Sequence, residues 1–274
     1  MSRGLQLYLD FVVFVFGAGI GSFLNVCVHR LPREQSIVNP PSHCPQCNQP
    51  IHWYDNIPLL SYLQLRGRCR HCHVRISPRY FLVELLTGVL FLLVWLKHTG
   101  WVIPIYWVLL AGLIVSTFID FEHYIIPNEI TYGGIVIGFI LSAVYPPLQQ
   151  RSAVLPALLQ SVLGILVGGL LLLSIALIGE RVFKKEAMGM GDVKFLAAIG
   201  AFLGYRATLF TIFVSSVSGA VIGLGLILLS KRDWQGRIPY GPYIALGAML
   251  WIFCGREVIQ WYMNLMAAPP LPGS

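Results

Sequence analysis

Residues 7–28, LYLDFVVFVFGAGIGSFLNVCV, decide the fold, because they form a long apolar run whose one charged residue is Asp10. A helix needs about 20 mostly apolar residues to cross a bilayer, so this run predicts a membrane-spanning helix. A removable signal peptide would carry several basic residues before the apolar run and an A-x-A-like cleavage site after it. Here Arg3 is the one basic residue before the run, and no such cleavage site is present. We therefore expect this first helix to be retained.

The composition extends this prediction to the whole chain. Of the 274 residues, 56% are hydrophobic and 11% are charged, whereas soluble domains carry roughly 25% charged residues. The mean hydropathy of +0.71 agrees with this deficit. Such sparse charge excludes a water-soluble enzyme and an ordinary nucleic-acid-binding protein, and it predicts that much of the surface contacts membrane lipid. We expect no nucleic-acid partner.

The pattern of apolar runs predicts an all-α polytopic membrane protein with about eight transmembrane helices. The first span occupies residues 1–28, a polar domain follows at 29–79, a seven-span membrane domain covers 80–266, and 267–274 form a C-terminal tail. The seven further spans are predicted at about 80–97, 101–120, 129–146, 153–179, 192–204, 207–229 and 242–264.

The distribution of basic residues predicts the orientation. If residues 29–79 face the cytoplasm and the spans alternate, 14 of the 19 Lys and Arg residues face the cytoplasm and 5 face the opposite side. Cytoplasmic loops collect Lys and Arg, so the net charge of +7 is explained by topology. The fourteen are Arg30, Arg33, Arg66, Arg68, Arg70, Arg75, Arg79, Arg181, Lys184, Lys185, Lys194, Lys231, Arg232 and Arg237.

The polar domain contains two C-x-x-C pairs that predict a zinc site. Its pattern is Cys44-x2-Cys47-x21-Cys69-x2-Cys72, close to the spacing of a zinc ribbon. Four thiolates complete a tetrahedral shell, so the metal would be structural, and a domain of this size with few apolar residues needs such support. Disulfides are the alternative, which a reducing cytoplasm disfavours.

Five of the acidic residues within or near the predicted spans are functional candidates, because an ionisable group at membrane depth is costly. Asp10 and Glu257 lie near span ends, where an interfacial role explains them. Glu84 lies one turn inside the second span, where it could pair with Arg79.

The other two acids, Asp120 and Asp192, both fall on the predicted cytoplasmic side. Asp120 ends the third span, and Asp192 follows two glycines in Gly189-Met190-Gly191-Asp192 and begins the sixth. Two carboxylates at one depth can form a dyad, in which one stays protonated while the other acts as a base toward water. The alternative is that each acid only ends or caps its helix.

An ordered set of motifs runs along nearly the whole chain. It consists of Gly21-Ser22-Phe23-Leu24-Asn25-Val26 with Arg30-Leu31-Pro32, the tetracysteine stretch with Asn56-Ile57-Pro58, Arg79-Tyr80 with Val83-Glu84-Leu85-Leu86-Thr87-Gly88, Asp120 seven residues before Pro127-Asn128, and Gly189-Met190-Gly191-Asp192. This set resembles the bacterial type 4 prepilin peptidases, a family of bifunctional leader peptidases and N-methyltransferases.

The resemblance implies a membrane aspartic protease of the bacterial inner membrane, with its active site and zinc domain toward the cytoplasm. It would cut the basic leader from prepilins or pseudopilins after a glycine and then methylate the new N-terminal residue, usually phenylalanine, with S-adenosylmethionine. By this resemblance Asp120 and Asp192 are the catalytic pair, and Gly189, Gly191 and Lys194 support the substrate and its loop.

The methyl-donor site is less defined in the sequence. No G-x-G-x-x-G loop follows a strand, so a Rossmann-type site is not expected. The resemblance points to the region of Gly21 and Asn25 as the candidate for cofactor binding. Tight packing between helices explains Gly21 equally well.

Two other classes of function remain open at this point. A transporter or ion exchanger would use Asp120 and Asp192 as a relay, although relay acids usually lie near mid-membrane within repeated halves. A membrane scaffold would use the zinc domain to bind a cytosolic partner, but it would not explain the G-M-G-D motif.

Overall fold

The computed structural model describes residues 2–184, 188–229 and 239–266. The chain divides into two compact units, Met1–Gly134 and Ile135–Ser274, and each is described by itself. The predicted C-terminal tail, 267–274, lies outside the described residues, as do four of the basic residues used for the orientation. These four are Lys185, Lys231, Arg232 and Arg237.

The first unit is built from long apolar helices and one small polar domain. Helix α1 covers Arg3–Arg30, α3 covers Pro78–Lys97, and α4 covers Val102–His123. Between α1 and α3 lies the cysteine-bearing domain, which has the short helix α2, Leu60–Gln64. Helix α5, Asn128–Val144, begins in this unit and ends in the next.

The second unit is also helical in its described part. Helix α6, Val154–Leu166, continues through a π-helical turn, Val167–Leu171, into α7, Leu172–Phe183. Helix α8 covers Met190–Leu228, and α9, Gly241–Leu250, continues through a second π-helical turn, Trp251–Gly255, into α10, Arg256–Met266. Core side chains come mainly from α8, including Leu196 and Ile199, which are fully buried.

Among the described residues, six helical segments are long and apolar enough to cross a membrane. This confirms the all-helical membrane fold, whereas the number of eight spans stays a prediction. The fourth predicted span corresponds to α5, which has 17 residues. The sixth and seventh correspond to one element, α8, whose helical backbone is interrupted at Gly204.

The interruption at Gly204 has a clear physical basis. Its φ of 76° and ψ of 174° lie outside helical geometry in a region that favours glycine. The carbonyl groups before the break find a partner from elsewhere, because Gln149 Nε2 donates to the oxygens of Ala201 and Phe202 at 3.0 and 3.1 Å. Helix-end carbonyls that would be left unpaired are thereby satisfied.

Close glycine contacts hold α1 against α3. A Cβ added at Gly17 would lie 2.9 Å from the Cα of Gly88, and one added at Gly21 would lie 2.7 Å from the Cα of Glu84. Small residues allow helix backbones to approach this closely in a membrane. The packing explanation for Gly21 is therefore confirmed.

An even closer glycine pair joins α6 to α8 and carries a stability prediction. A Cβ added at Gly200 would lie 2.2 Å from the carbonyl oxygen of Gly164, which is backbone and cannot rotate away. We expect Gly200→Ala to lower the free energy of unfolding by about 1–3 kcal/mol, the usual cost of overpacking. Thermal unfolding of the purified protein in detergent measures this loss.

The matched control is Gly225→Ala, because Gly225 lies on the same helix and an added Cβ would meet no atom within 4 Å. There the better helix propensity of alanine should leave stability unchanged or slightly raised. Equal unfolding temperatures for the two variants would contradict the packing.

Candidate functional site

Asp120 lies in the last turn of α4 and is 5% exposed. The helix ends because Tyr124 adopts a left-handed conformation, with φ of 58° and ψ of 33°, and its N–H donates to the carbonyl oxygen of Asp120 at 3.0 Å. Residues 124–127 are not helical, and α5 begins at Asn128, as expected from the effect of Pro127 on the preceding residue. The carboxylate of Asp120 is thus buried at a helix end.

Asp192 lies in the first turn of α8 and is half-buried. Its N–H donates to the carbonyl oxygen of Gly189 at 3.1 Å, which closes a tight turn. A Cβ added at Gly189 would lie 3.4 Å from Oδ2 of Asp192, so the backbone passes close to the carboxylate. The helix dipole favours an anion at this position.

Gly191 and Lys194 share this first turn with Asp192, and both are half-buried. Asp120 belongs to the first unit and Asp192 to the second. Their pairing as a dyad, and the supporting roles of the glycines and of Lys194, stay predictions.

Two of the other acids have structural partners. Asp10 Oδ1 accepts hydrogen bonds from Trp95 Nε1 at 3.0 Å and from Gln6 Nε2 at 2.9 Å. Glu84 is 8% exposed, and its Oε2 accepts from the N–H of Leu59 at 2.8 Å. Glu84 therefore ties helix α3 to the cysteine-bearing domain.

The expected pair of Glu84 with Arg79 is wrong, because Arg79 Nη1 instead bonds to the carboxylate of Glu122. Arg79 and Glu84 are five residues apart, and at 3.6 residues per turn they point to different sides of α3. The Arg79–Glu122 ion pair connects the start of α3 to the end of α4, two residues beyond Asp120.

The four predicted cysteines form one cluster, and the group contains no histidine. All four sulfur atoms lie within 4.8 Å of one another, with Cys44 Sγ 3.8 Å from Cys72 Sγ and Cys47 Sγ 4.0 Å from Cys69 Sγ. Four sulfurs bound to zinc at about 2.3 Å in a tetrahedron lie about 3.8 Å apart. The structure contains no disulfide among these four thiols, and the cluster fits a metal ion.

The two C-x-x-C segments have the same backbone geometry. The Cys44 carbonyl accepts from the N–H of Asn48 at 2.9 Å, and the Cys69 carbonyl accepts from the N–H of His73 at 3.1 Å. Asn48 and His73 both have a left-handed conformation, with φ of 54° and 56°. Each segment therefore folds back as a compact turn that presents two sulfurs to a common centre.

Two thiols of the cluster, those of Cys69 and Cys72, have pKa values shifted from that of an isolated cysteine. Hydrogen bonds from the backbone N–H groups of Cys72 and His71 lower the pKa of Cys69 to about 7. For Cys72, the backbone N–H of Val74 acts to lower the pKa, but burial and the neighbouring thiols outweigh it and raise the pKa to about 11. Thiolates are the form that binds metal, so protons and a metal ion compete for these sulfurs.

An ion pair on the domain surface supports the second cysteine turn. Arg70 Nε lies 2.9 and 2.8 Å from the two carboxylate oxygens of Asp55. These hydrogen bonds from Arg70 hold the pKa of Asp55 below its usual range. The bonds between the guanidinium of Arg70 and both carboxylate oxygens of Asp55 hold this residue, which follows Cys69, against residues 53–56.

The two residues that the resemblance suggests for binding the methyl donor, Gly21 and Asn25, have clear packing roles. Gly21 contacts α3, as described above, and Asn25 Nδ2 donates to the carbonyl oxygen of Tyr80 at 2.9 Å. Asn25 is 2% exposed, and its Oδ1 has no hydrogen-bond partner in the described part of the chain.

Beside these residues lies a cavity of about 410 Å³ that the sequence reasoning missed. It lies between α1 and the loops of the cysteine domain. Among its lining residues are Gly19, Ser22, Phe23, Arg30, Pro40 and Asn56. Its wall combines residues up to 39 positions apart, which is why no local pattern could indicate it.

Known proteins similar to this chain agree on one family. A family model described as the bacterial peptidase A24 N-terminal domain matches residues 15–98, and the model of the type IV leader peptidase family matches residues 107–224. The prepilin leader peptidase/N-methyltransferase of Aeromonas salmonicida (strain A449) is 37% identical, and the match covers 96% of this chain and 97% of the relative.

Two further relatives carry similar names. The prepilin leader peptidase/N-methyltransferase of Myxococcus xanthus is 43% identical over 80% of this chain and 64% of the relative. The type 4 prepilin-like proteins leader peptide-processing enzyme of Escherichia coli O78:H11 is 38% identical over 87% of this chain and 91% of the relative. No solved structure gives a significant match.

Proposed function

The chain belongs to the type IV leader peptidase family, and from that premise we propose that Asp120 and Asp192 together cleave the leader of a prepilin or pseudopilin. The protein is an integral membrane peptidase with N-methyltransferase activity. The substrate's leader would be basic, with the cut directly after a glycine.

The chemistry needs one ionised and one protonated carboxylate. The ionised carboxylate takes a proton from water, and the resulting hydroxide attacks the carbonyl carbon of the scissile peptide bond. The protonated carboxylate gives its proton to the leaving amide nitrogen. Two close carboxylates divide these roles because like charges oppose the ionisation of both.

The residues around Asp192 support this role. The tight turn at Gly189 and the absence of side chains at Gly189 and Gly191 leave room for a peptide strand beside the carboxylate. Lys194, in the same turn, can assist by binding a substrate carbonyl. A mature pilin begins with an apolar helix, so the membrane helices of this protein would bind that part of the substrate laterally.

We further propose that the active site and the cysteine domain face the cytoplasm in the bacterial inner membrane. The excess of Lys and Arg on that side in the sequence supports the orientation. The cysteine cluster would hold structural zinc, since four thiolates leave no open position for a substrate. S-adenosylmethionine would supply the methyl group.

The observation that carries this proposal is the position of the two acids: Asp120 in the last turn of α4 and Asp192 in the first turn of α8. The test incubates the purified protein in detergent with a prepilin and S-adenosylmethionine, and mass spectrometry follows the product. We expect the leader to be lost and one methyl group to be gained at the new N-terminus.

A prepilin whose glycine before the cleavage site is replaced by a bulky residue is the matched control, and it should stay intact. A transporter or a scaffold would leave both prepilins uncut, which would refute the proposal.

A further inference from the structure

Gly19 is the one glycine among Gly17, Gly19 and Gly21 that packing against α3 does not explain. A Cβ added at Gly19 would meet no atom within 4 Å, whereas the other two glycines contact α3 closely. Gly19 instead lines the cavity of about 410 Å³. Glycine in a helix interior costs about 1 kcal/mol relative to alanine, and packing against α3 does not offset that cost at Gly19.

The cavity has the size and lining of a small-molecule site. Such sites measure about 300–1,000 Å³ and combine apolar walls with a few polar groups. The apolar part here includes Phe23, Val26 and Pro40, and the polar part includes Ser22 and Asn56. Phe23 is 48% exposed, so its ring is available for contact with a flat ligand.

One fixed positive charge stands at the cavity wall. Arg30 is 8% exposed, and its Nη1 and Nη2 donate to the carbonyl oxygens of Ser36 and Pro40 at 2.8 and 2.6 Å. A guanidinium has five N–H donors, so these two bonds hold Arg30 in place without using all of them. Among the described residues, those that line the cavity include no acidic one.

We propose that this cavity binds the methyl donor, S-adenosylmethionine, with Asn56 facing the adenine and Arg30 facing the donor's carboxylate. This inference rests on the proposed N-methyltransferase function. An asparagine amide matches the N6/N7 edge of adenine, and an arginine matches a carboxylate. A basic leader peptide fits less well, because it brings several positive charges to a wall that carries Arg30, whereas the donor has a carboxylate that can face this arginine.

This site would be built from one helix and loops, so it needs no strand or Rossmann loop. In the reaction, the free amine nitrogen of the cleaved pilin attacks the donor's methyl carbon. The carbon–sulfur bond breaks and its electron pair stays on sulfur, which becomes a thioether. The amine then loses a proton to water.

The test measures binding of radiolabelled S-adenosylmethionine to the full-length protein in detergent. Gly19→Leu places an isobutyl group in open space, so we expect the fold to persist and donor affinity to fall about tenfold or more as the cavity fills. Gly4→Leu is the matched control, since Gly4 lies on the same helix with open space around it and outside the cavity. It should bind the donor normally.

A second variant, at an exposed residue, distinguishes a loss of donor binding from a loss of the fold. Asn56 is exposed, and Asn56→Ala should lower donor affinity about tenfold through loss of the adenine contact. Metal content and unfolding temperature report the fold of each variant.

Donor affinity within twofold of the unchanged protein in both variants would overturn the assignment. So would a loss of prepilin binding with normal donor binding, because the cavity would then belong to the peptide. If the unchanged protein neither cleaves nor methylates prepilin, the proposed function itself fails, and this outcome is distinct from the other two.

Discussion

Asp120→Asn and Asp192→Asn should each slow leader cleavage by about 10³-fold or more. Asparagine keeps the size of aspartate and can still hydrogen-bond, but it cannot accept a proton from water or return one to the leaving amine. The rate is measured by mass spectrometry of leader release under single-turnover conditions, with the purified variants in detergent.

The matched control for this prediction is Asp10→Asn. Asp10 is also an acid on a membrane helix, but it accepts hydrogen bonds from Trp95 and Gln6, and we assign it no chemistry. Its variant should cleave at a nearly normal rate. Methylation of a pilin that has already been cleaved should persist in all three variants, because the lining of the proposed donor cavity does not include these carboxylates. Near-normal cleavage by either Asp120→Asn or Asp192→Asn would contradict the assignment.

Loss of the metal should unfold the cysteine domain. Structural zinc sites contribute about 10–16 kcal/mol of apparent binding free energy, and residues 29–79 contain few buried apolar side chains that could replace it. We expect Cys69→Ser to lose the metal and to expose residues 29–79 to protease, while the membrane helices stay protected. Elemental analysis and limited proteolysis measure these two effects.

Cys254→Ser is the matched control, since Cys254 lies outside the cluster and its Sγ donates to the carbonyl oxygen of Leu250. It should keep one metal ion per chain. Retention of the metal and of protease resistance by Cys69→Ser would show that the cluster is not the metal site.

Metal loss should also weaken donor binding. Ser42 lines the cavity, and its carbonyl oxygen accepts from the N–H of Ile51 at 2.9 Å, directly beyond the first cysteine turn. A folded cysteine turn therefore holds one wall of the cavity in place. Normal donor affinity in the metal-free protein would show that the shape of the cavity does not depend on the metal.

Much of this structure could be predicted from the sequence, because the decisive signals are local. Apolar runs of sufficient length predict membrane helices whatever their partners are, and the spacing of Cys44, Cys47, Cys69 and Cys72 matches the tetrahedral demand of a metal. The position of Pro127 predicts the break between α4 and α5, which the structure confirms at residues 124–127.

The features that could not be predicted depend on distant partners. The spans predicted at 192–204 and 207–229 place a break at residues 205–206, but α8 is interrupted at Gly204, where Gln149, far back in the chain, satisfies the helix-end carbonyls. Arg79 pairs with Glu122, 43 residues away, instead of the nearby Glu84. The position of Gly19 in the cavity wall depends on loops that the cysteine domain brings to α1.

The central claim is that Asp120 and Asp192 act as one catalytic unit, and the most direct test compares the double variant, Asp120→Asn with Asp192→Asn, with each single variant. Residues that act as a unit show strongly non-additive effects. We predict that the double variant cleaves prepilin at the rate of the slower single variant. A double variant slower by the product of the two single losses would show that the carboxylates act independently, which would contradict the dyad.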